Sequence, residues 1–251
     1  MLSIFRKKAK NISGRLDFIG FDMHNHLLPG IDDGSPDTET SVELMEGLLE
    51  LGYKGFLCTP HVISSVYSNT PATIEPAYQQ FRLAAELKGH HIPITFSAEY
   101  MSDYDLEKRI ATEEIIPFPN NHILIEMSYA VESPNLREVI FQLQVKGLRP
   151  ILAHPERYGF WFGNLNKFNE LVDLGVELQM NMLSITGYYG EGVKKVAEKL
   201  LSQQLYTWLG TDLHNHRHLE ALQNLAGDSR IISKLEKIKN LRNSSLASVL
   251  V

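Results

Sequence analysis

The chain has 251 residues, 43% of them hydrophobic and 22% charged. This globular composition suits one large domain with a sizeable core and excludes disorder and collagen-like repeats. Lysine and arginine number 24 against 30 aspartates and glutamates, a net charge of -6, which is the wrong sign for nonspecific nucleic-acid binding.

The basic cluster Arg6, Lys7, Lys8 and Lys10 reads as a solvated tail over residues 1–17, with a membrane-surface or partner contact as the alternative. Cys58 is the single cysteine, which excludes an internal disulfide. No apolar run approaches the roughly 20 residues of a spanning helix. No apolar signal-peptide core follows the basic residues. A cytoplasmic protein without an integral membrane segment is expected.

Apolar runs alternate with helical patterns along the chain. A strand is expected over 16–22, then an amphipathic helix over 38–51 closed by Gly52. A strand at 55–59 precedes a helix at 74–88 with Gly89 as its stop, and a strand at 94–98 precedes a short helix at 105–112. A strand at 122–127 leads to a helix at 136–146 closed by Gly147, and one at 150–153 to a helix at 165–174 ended by Gly175. Strands at 176–180 and 205–210 flank a helix at 192–201, and helices at 219–226 and 231–241 follow. These are about seven βα units with short loops. Most strand runs are apolar throughout, as in a parallel sheet covered by helices. A single α/β domain over residues 18–251, a closed or nearly closed βα barrel, is expected, with an open doubly wound sheet as the alternative. The GxGxxG fingerprint and the P-loop pattern are absent.

Metal-type residues fall at strand ends. His24 and His26 follow the first strand, His61 the second, Glu99 the third. Glu126 sits near the end of the fourth, His154 follows the fifth, and Asp212 and His214 follow the seventh. In a parallel barrel these ends share one face, which carries the active site. His24 and His26 are two apart, so on an extended chain they point the same way. Asp212 and His214 repeat that spacing. The stretch Asp22-Met23-His24-Asn25-His26 is echoed by Asp212-Leu213-His214-Asn215-His216. Each element alone is weak. Together they point to a polynuclear metal site, and mixed imidazole and carboxylate ligands suit Zn, Mn or Fe.

In these segments the chain resembles the PHP (polymerase and histidinol phosphatase) superfamily, and within it the bacterial tyrosine-protein phosphatases of capsule and exopolysaccharide synthesis. The segments are 21–34, with His24, His26, Pro29, Gly30, Asp32, Asp33 and Gly34; Thr59-Pro60-His61; Ala98-Glu99-Tyr100; Ile125-Glu126-Met127; His154-Pro155-Glu156-Arg157-Tyr158; and Asp212-Leu213-His214. The resemblance implies a distorted, TIM-like (β/α)7 barrel with three divalent ions, Mn²⁺ foremost and Fe or Zn as alternatives. It implies a first ion on His24, His26, Glu99 and Asp212, a second on Glu99, Glu126 and His154 with Glu99 bridging, and a third on Asp33, His61 and His214. Asp33 is preferred over Asp32, which is the alternative ligand or a support behind one. The catalytic residues implied are Arg157, His61 and Asp33. Arg157 matches the phosphate-binding arginine, and Arg217 is the candidate for a second substrate contact. His216 and His218 match no ligand position. His90, His91 and His122 read as surface or strand-edge residues.

The implied activity is phosphomonoester hydrolysis on phosphotyrosine in proteins, a bacterial tyrosine kinase being one possible partner. Metal-activated hydroxide would attack phosphorus, with Arg157 taking up charge on the equatorial oxygens. A small-molecule phosphatase, such as a histidinol phosphatase, and a non-catalytic phosphopeptide-binding barrel are the alternatives; a PHP-type exonuclease is disfavoured by the acidic balance. A cysteine-dependent phosphatase is excluded, because no arginine-bearing phosphate loop follows Cys58. Tyr67, Tyr78, Tyr158 and Trp161 either stack on a substrate ring or cover the barrel top.

Overall fold

The structure, a computed structural model, describes residue 12 and residues 14–250, with only the backbone for 249 and 250. The basic cluster Arg6, Lys7, Lys8 and Lys10 lies outside the described residues. The first half of the chain contributes β1 (Phe21–Asp22), α1 (Thr38–Leu51), β2 (Gly55–Cys58), β3 (His61–Val62), α2 (Pro71–Leu87), β4 (Ile94–Phe96), β5 (Glu99–Met101) and α3 (Tyr104–Thr112). The second half contributes β6 (His122–Glu126), α4 (Leu136–Val145), β7 (Arg149–Ala153), α5 (Asn166–Asp173), β8 (Glu177–Asn181), α6 (Glu191–Ser202), β9 (Tyr206–Gly210), α7 (His216–Ala226) and α8 (Ser229–Leu235).

Two parallel ladders hold the strands, β1-β2-β4 and β3-β5-β6-β7-β8-β9. β2 and β3 form one strand path, as do β4 and β5, so seven paths follow one another in chain order. This is a distorted α/β barrel arrangement. Beyond β9 the chain returns to the first path. Asp212 N–H donates to His24 O at 2.8 Å and His26 N–H to Leu213 O at 3.0 Å.

The expected strands at 55–59 and 94–98 end at Cys58 and Phe96, and each path resumes in a short strand beyond the expected range, at 61–62 and 99–101. Pro60 has no N–H to give a ladder. The paths stay paired across the break, and His61 lies opposite Glu99. The expected strand at 16–22 shrinks to two residues. Residues 14–19 are turns, Gly14 and Gly20 have φ of 70° and 79°, and Leu16 and Ile19 are buried. An apolar run buried in turns looks like a buried strand in sequence. α1 matches its expected limits because both ends are signalled: the Asp37 carboxylate accepts from Thr40 N–H at 2.8 Å, and Gly52 closes the helix at φ 108°. α2 starts at Pro71, three residues before its expected start, with proline in the first turn, where its missing N–H costs nothing. The last expected helix ends at Leu235 rather than 241.

Alternation along the strands sorts the core. Phe21, Leu57, Leu124, Ile151, Ala153 and Trp208 form one buried cluster that fills the barrel below the mouth. Phe56, Cys58, Ile123, Ile125, Leu152 and Leu209 pack the other way, under the helices. Cys58 is fully buried and burial pushes its thiol well above the usual range, as expected of a packing residue. His122 is also buried rather than at a surface, because the start of β6 is plugged by Glu177 and Trp208. Among the described residues, no helix is long and apolar enough to cross a membrane.

Candidate metal centre

The chain segments following β1, β7 and β9, together with β3, β5 and the end of β6, bring the candidate ligands to one end of the barrel. Four overlapping triplets have ligand atoms within 4.8 Å of one another: His24–His26–Asp212, His24–Glu99–His154, His61–Glu99–Glu126 and His26–His61–His214. Glu99 belongs to two of them. Asp33 stands at the edge, its carboxylate 3.6 Å from Nε2 of both His61 and His214.

The two echoed sequence stretches are neighbours. Asn25 bridges Leu213 in parallel, so the stretches are offset by two residues. An even offset keeps the same side chains on the same face. His24 thereby comes level with Asp212, their Nε2 and Oδ1 3.5 Å apart, and His26 stacks on His214 with ring centroids 3.9 Å apart.

Several histidines are held from behind. His24 Nδ1–H donates to Gln179 Oε1 at 2.9 Å; the same oxygen accepts from His154 N–H at 3.2 Å, which fixes the amide's orientation. His26 Nδ1–H donates to Asp32 Oδ2 at 2.8 Å, and His214 Nδ1–H to Asp212 O at 2.9 Å. Each bond leaves Nε2 for the cluster, the arrangement common behind metal-binding histidines. The Asp32 side chain is fully buried and also accepts from the backbone N–H of Gly34 and of His61. Asp33 has a 54% exposed side chain and is free to face the cleft.

The electrostatics suit cations. Burial favours the neutral acid at Asp32, but His26 prevails and holds its pKa down to about 2. Burial and His61 press His26 toward neutrality, yet Asp32 and Asp212 raise it to about 10. Burial and the like charge of Glu99 raise Glu126. Burial and His26 lower His214 to about 4. Without cations the cluster must therefore hold protons to balance its carboxylates. His61 Nδ1, Glu99 Oε2 and Glu126 Oε1 are buried and make no hydrogen bond, although Nδ1 lies 3.1 and 2.9 Å from the two carboxylate oxygens. Converging nitrogen and oxygen donors left unsatisfied this way fit a divalent ion.

The backbone is unusual at two of these residues, with φ of 33° at His154 and 51° at Asp212. Non-glycine residues seldom adopt such angles, and they concentrate at functional sites. At His154 the effect is geometric. Ile151 and Ala153 face the barrel interior, so a continued strand would turn His154 outward.

Above the cluster lies a cleft of about 550 Å³, lined by Asp33, His61, Tyr67, Tyr129, Arg157, Tyr189, His214 and His218 among others. Arg157 Nη1 donates to Asp212 Oδ2 at 2.8 Å. Its guanidinium carbon lies 4.4 Å from the Tyr129 ring centre and 4.1 Å from that of Tyr189. Arg217, in the first turn of α7, is exposed and outside the cleft lining. Tyr158 and Trp161 cover the barrel, both buried, with Tyr158 Oη donating to Ala153 O at 3.1 Å. Tyr78 packs on Phe96, whereas Tyr67 stacks on His61. Sequence reasoning passed over Tyr129, Tyr189 and the supports Gln179 and Asn181, and it gave His218, which lines the cleft, no ligand position. Tyr129 could have been found by position, three residues beyond Glu126. The others lacked any metal-type or charge signal that set them apart.

The family model for capsular polysaccharide synthesis, CpsB/CapC, matches residues 20–237. Tyrosine-protein phosphatase YwqE of Bacillus subtilis is 28% identical over 198 residues, 77% of each chain. Tyrosine-protein phosphatase CpsB of Streptococcus pneumoniae is 25% identical over 200 residues, 77% of this chain and 82% of that one. A crystal structure from work on these two proteins, described as unique metal-dependent tyrosine phosphatases, superposes with a TM-score of 0.73 at 25% identity, covering 88% of this chain and 95% of that one. The lactonase Lmo2620 of Listeria monocytogenes, at 12% identity and a TM-score of 0.57 over 97% of this chain and 96% of its own, shares the fold alone. With its family model spanning the strands, the cleft and the clustered histidines, this chain belongs to the CpsB/CapC family of capsular polysaccharide synthesis.

Proposed function

We propose that this chain is a metal-dependent phosphomonoester hydrolase acting on phosphotyrosine in proteins. The observation that carries the proposal is a buried histidine–carboxylate cluster, with unsatisfied donor atoms, directly beneath a cleft that holds a fixed arginine. The assigned ligands are His24, His26, Glu99 and Asp212 for one ion, Glu99, Glu126 and His154 for a second, and Asp33, His61 and His214 for a third. His61 has one nitrogen near Glu99 and Glu126 and the other near Asp33, so it borders two of these positions. Mn²⁺ is the proposed metal, with Fe or Zn as alternatives.

Bound divalent ions would activate water at neutral pH and offset charge on the phosphoryl group. The protein's own groups do the rest. Arg157 presents a planar guanidinium to the phosphoryl oxygens. Asp212 holds that guanidinium through Oδ2 while its Oδ1 faces His24 and His26. Gln179 and Asp32 keep His24 and His26 in one tautomer. A phenolate, with a parent pKa of about 10, leaves with less protonation than an alkoxide. Arg217 is proposed as a contact for the substrate at the rim.

Exposed Val66, Tyr129 and Tyr188 border the mouth, apolar area that suits a peptide better than a small hydrophilic ester. A tyrosine kinase as the phosphorylated partner, and a cytoplasmic location compatible with the lone buried Cys58, complete the proposal. The test is phosphate release by chelated protein titrated with Mn²⁺, from a phosphotyrosine peptide and from histidinol phosphate in parallel. Metal-dependent turnover of the peptide is expected. Turnover of histidinol phosphate alone would overturn the substrate assignment.

A further inference from the structure

We propose that Tyr129 and Tyr189 are positioning residues that clamp the Arg157 guanidinium between their rings and hold it ready for phosphate. This rests on the phosphatase reading above. Arg157 follows the unusual turn at His154 and ends a single turn of 3-10 helix, Pro155–Arg157, so its local backbone gives the long side chain little guidance. A free arginine side chain samples many rotamers, and ordering it costs binding energy.

Three contacts remove that freedom. The guanidinium carbon lies over both tyrosine rings, 4.4 Å from the centre of Tyr129 and 4.1 Å from that of Tyr189. Asp212 fixes Nη1 at 2.8 Å. The clamp is itself tied to the carboxylate. Asn181 Nδ2 donates to the Tyr189 hydroxyl at 3.1 Å and to Asp212 Oδ2 at 2.8 Å. With two rings against it and Nη1 bonded, the guanidinium keeps its remaining N–H groups for the cleft that Arg157 lines. A ring face attracts a cation most where water is excluded, and this arginine side chain is only 19% exposed. Tyr129 and Tyr189 come from loops after different strands, so the clamp is a product of the fold rather than of a local motif.

The alternative is that these rings stack directly on the substrate's phenyl group. Inorganic phosphate separates the two, because it has no ring. The experiment uses Mn²⁺-loaded protein and measures kcat and KM for a phosphotyrosine peptide, with the Kd of inorganic phosphate by calorimetry. Y129L and Y189L are each expected to raise KM and the phosphate Kd in parallel by about tenfold, with kcat reduced less than KM is raised. Y129F and Y189F, which keep the rings, recover most of that loss. In an R157A background, Y129L and Y189L add little further, because the group they position is gone. Should Y189L fail to fold, Y129L carries the test, since Tyr129 is 46% exposed.

Three results would overturn the proposal. One is a raised KM with unchanged phosphate Kd, which assigns the rings to substrate stacking. Another is the same fold loss with and without Arg157. The last is no change in either constant. A wild-type protein that does not hydrolyse the peptide would instead overturn the phosphatase reading, while the phosphate Kd still tests the clamp.

Discussion

The two ends of the barrel each bury a histidine beside a carboxylate, and they differ in how the charge is balanced. At the foot, His122 Nε2 lies 3.3 Å from Glu177. Glu177 also accepts from Arg149 at 2.7 Å and from the Trp208 indole at 2.6 Å, and Arg242 stands at 3.5 Å. Two guanidinium groups therefore surround one carboxylate. At the mouth, Glu99, Glu126, Asp212, Asp32 and Asp33 meet histidines, and Arg157 pairs with Asp212. The mouth also has left-handed backbone at His154 and Asp212. A buried histidine is therefore uninformative by itself. What sets the mouth apart is a carboxylate excess in which unsatisfied atoms of His61, Glu99 and Glu126 converge, on the face where strand ends meet, whereas at the foot the unsatisfied His122 Nε2 faces a carboxylate already bonded by Arg149 and Trp208.

The largest expected difference between the ends follows from removing one shared ligand. E99Q should lower kcat/KM at least about a thousandfold and weaken Mn²⁺ binding, as calorimetry would measure, while circular dichroism stays unchanged. Full activity in E99Q would break the comparison at its strongest point. R157A comes next. Loss of its contact to the developing phosphoryl charge should cost about a hundredfold in kcat/KM, with metal content by elemental analysis unaltered.

Protons sharpen the contrast. His26 is raised to about 10 in the metal-free protein, above the ordinary value of about 6.5. Its pairing with Asp32 therefore supports the metal-free fold fully below pH 6.5 and is lost as pH rises through the raised value. A metal ion must displace that proton. Near pH 8, Mn²⁺ binding should release protons, visible as a buffer-dependent enthalpy, and affinity should fall as the solution is acidified. A buffer-independent enthalpy would contradict the charge balance drawn for the mouth.

At the foot, E177Q should cost stability and leave chemistry alone. Removing the charge strands Arg149 and Arg242 and is expected to cost about 1–2 kcal/mol, or a fall of several degrees in Tm, with unchanged kcat/KM on a peptide. Burial opposes ionisation of Glu177, but His122 and Trp208 prevail and lower its pKa. Its stabilising contribution is thus present above the usual glutamate range and lost as pH falls through the lowered value; the Tm difference between E177Q and wild type should shrink in acid. The smallest effect is expected for R217A, about a threefold rise in KM for a phosphorylated protein, since Arg217 is exposed and outside the cleft lining.

The mouth was legible in sequence for a physical reason. Metal-type residues have few other reasons to follow strand after strand, and a two-residue spacing survives folding because alternation preserves a face. That logic located His24, His26, His61, Glu99, Glu126, His154, Asp212 and His214 at one end. It could not see Gln179 or Asn181, whose amides matter only through the imidazole or carboxylate that folding sets opposite them. Tyr129 and Tyr189 were equally hidden, whereas Tyr158 and Trp161, beside the His154 motif, drew notice and proved to be packing. His122, read as a surface or strand-edge residue, starts β6 but is buried, and nothing near it in sequence announces Glu177 or Trp208. Among the elements, helices with a cap and a closing glycine were placed well. The strands at 55–59 and 94–98 were ended with their apolar runs, so the short continuations β3 and β5 were missed, since an apolar run carries no record of where a ladder resumes.

Anomalous diffraction at the manganese edge, from crystals of the Mn²⁺-loaded protein, tests the metal centre most directly. Strong peaks are predicted among His24, His26, His61, Glu99, Glu126, His154, Asp212 and His214, with none beside His122 and Glu177. A protein with full peptide turnover and no anomalous density at the mouth would contradict the account.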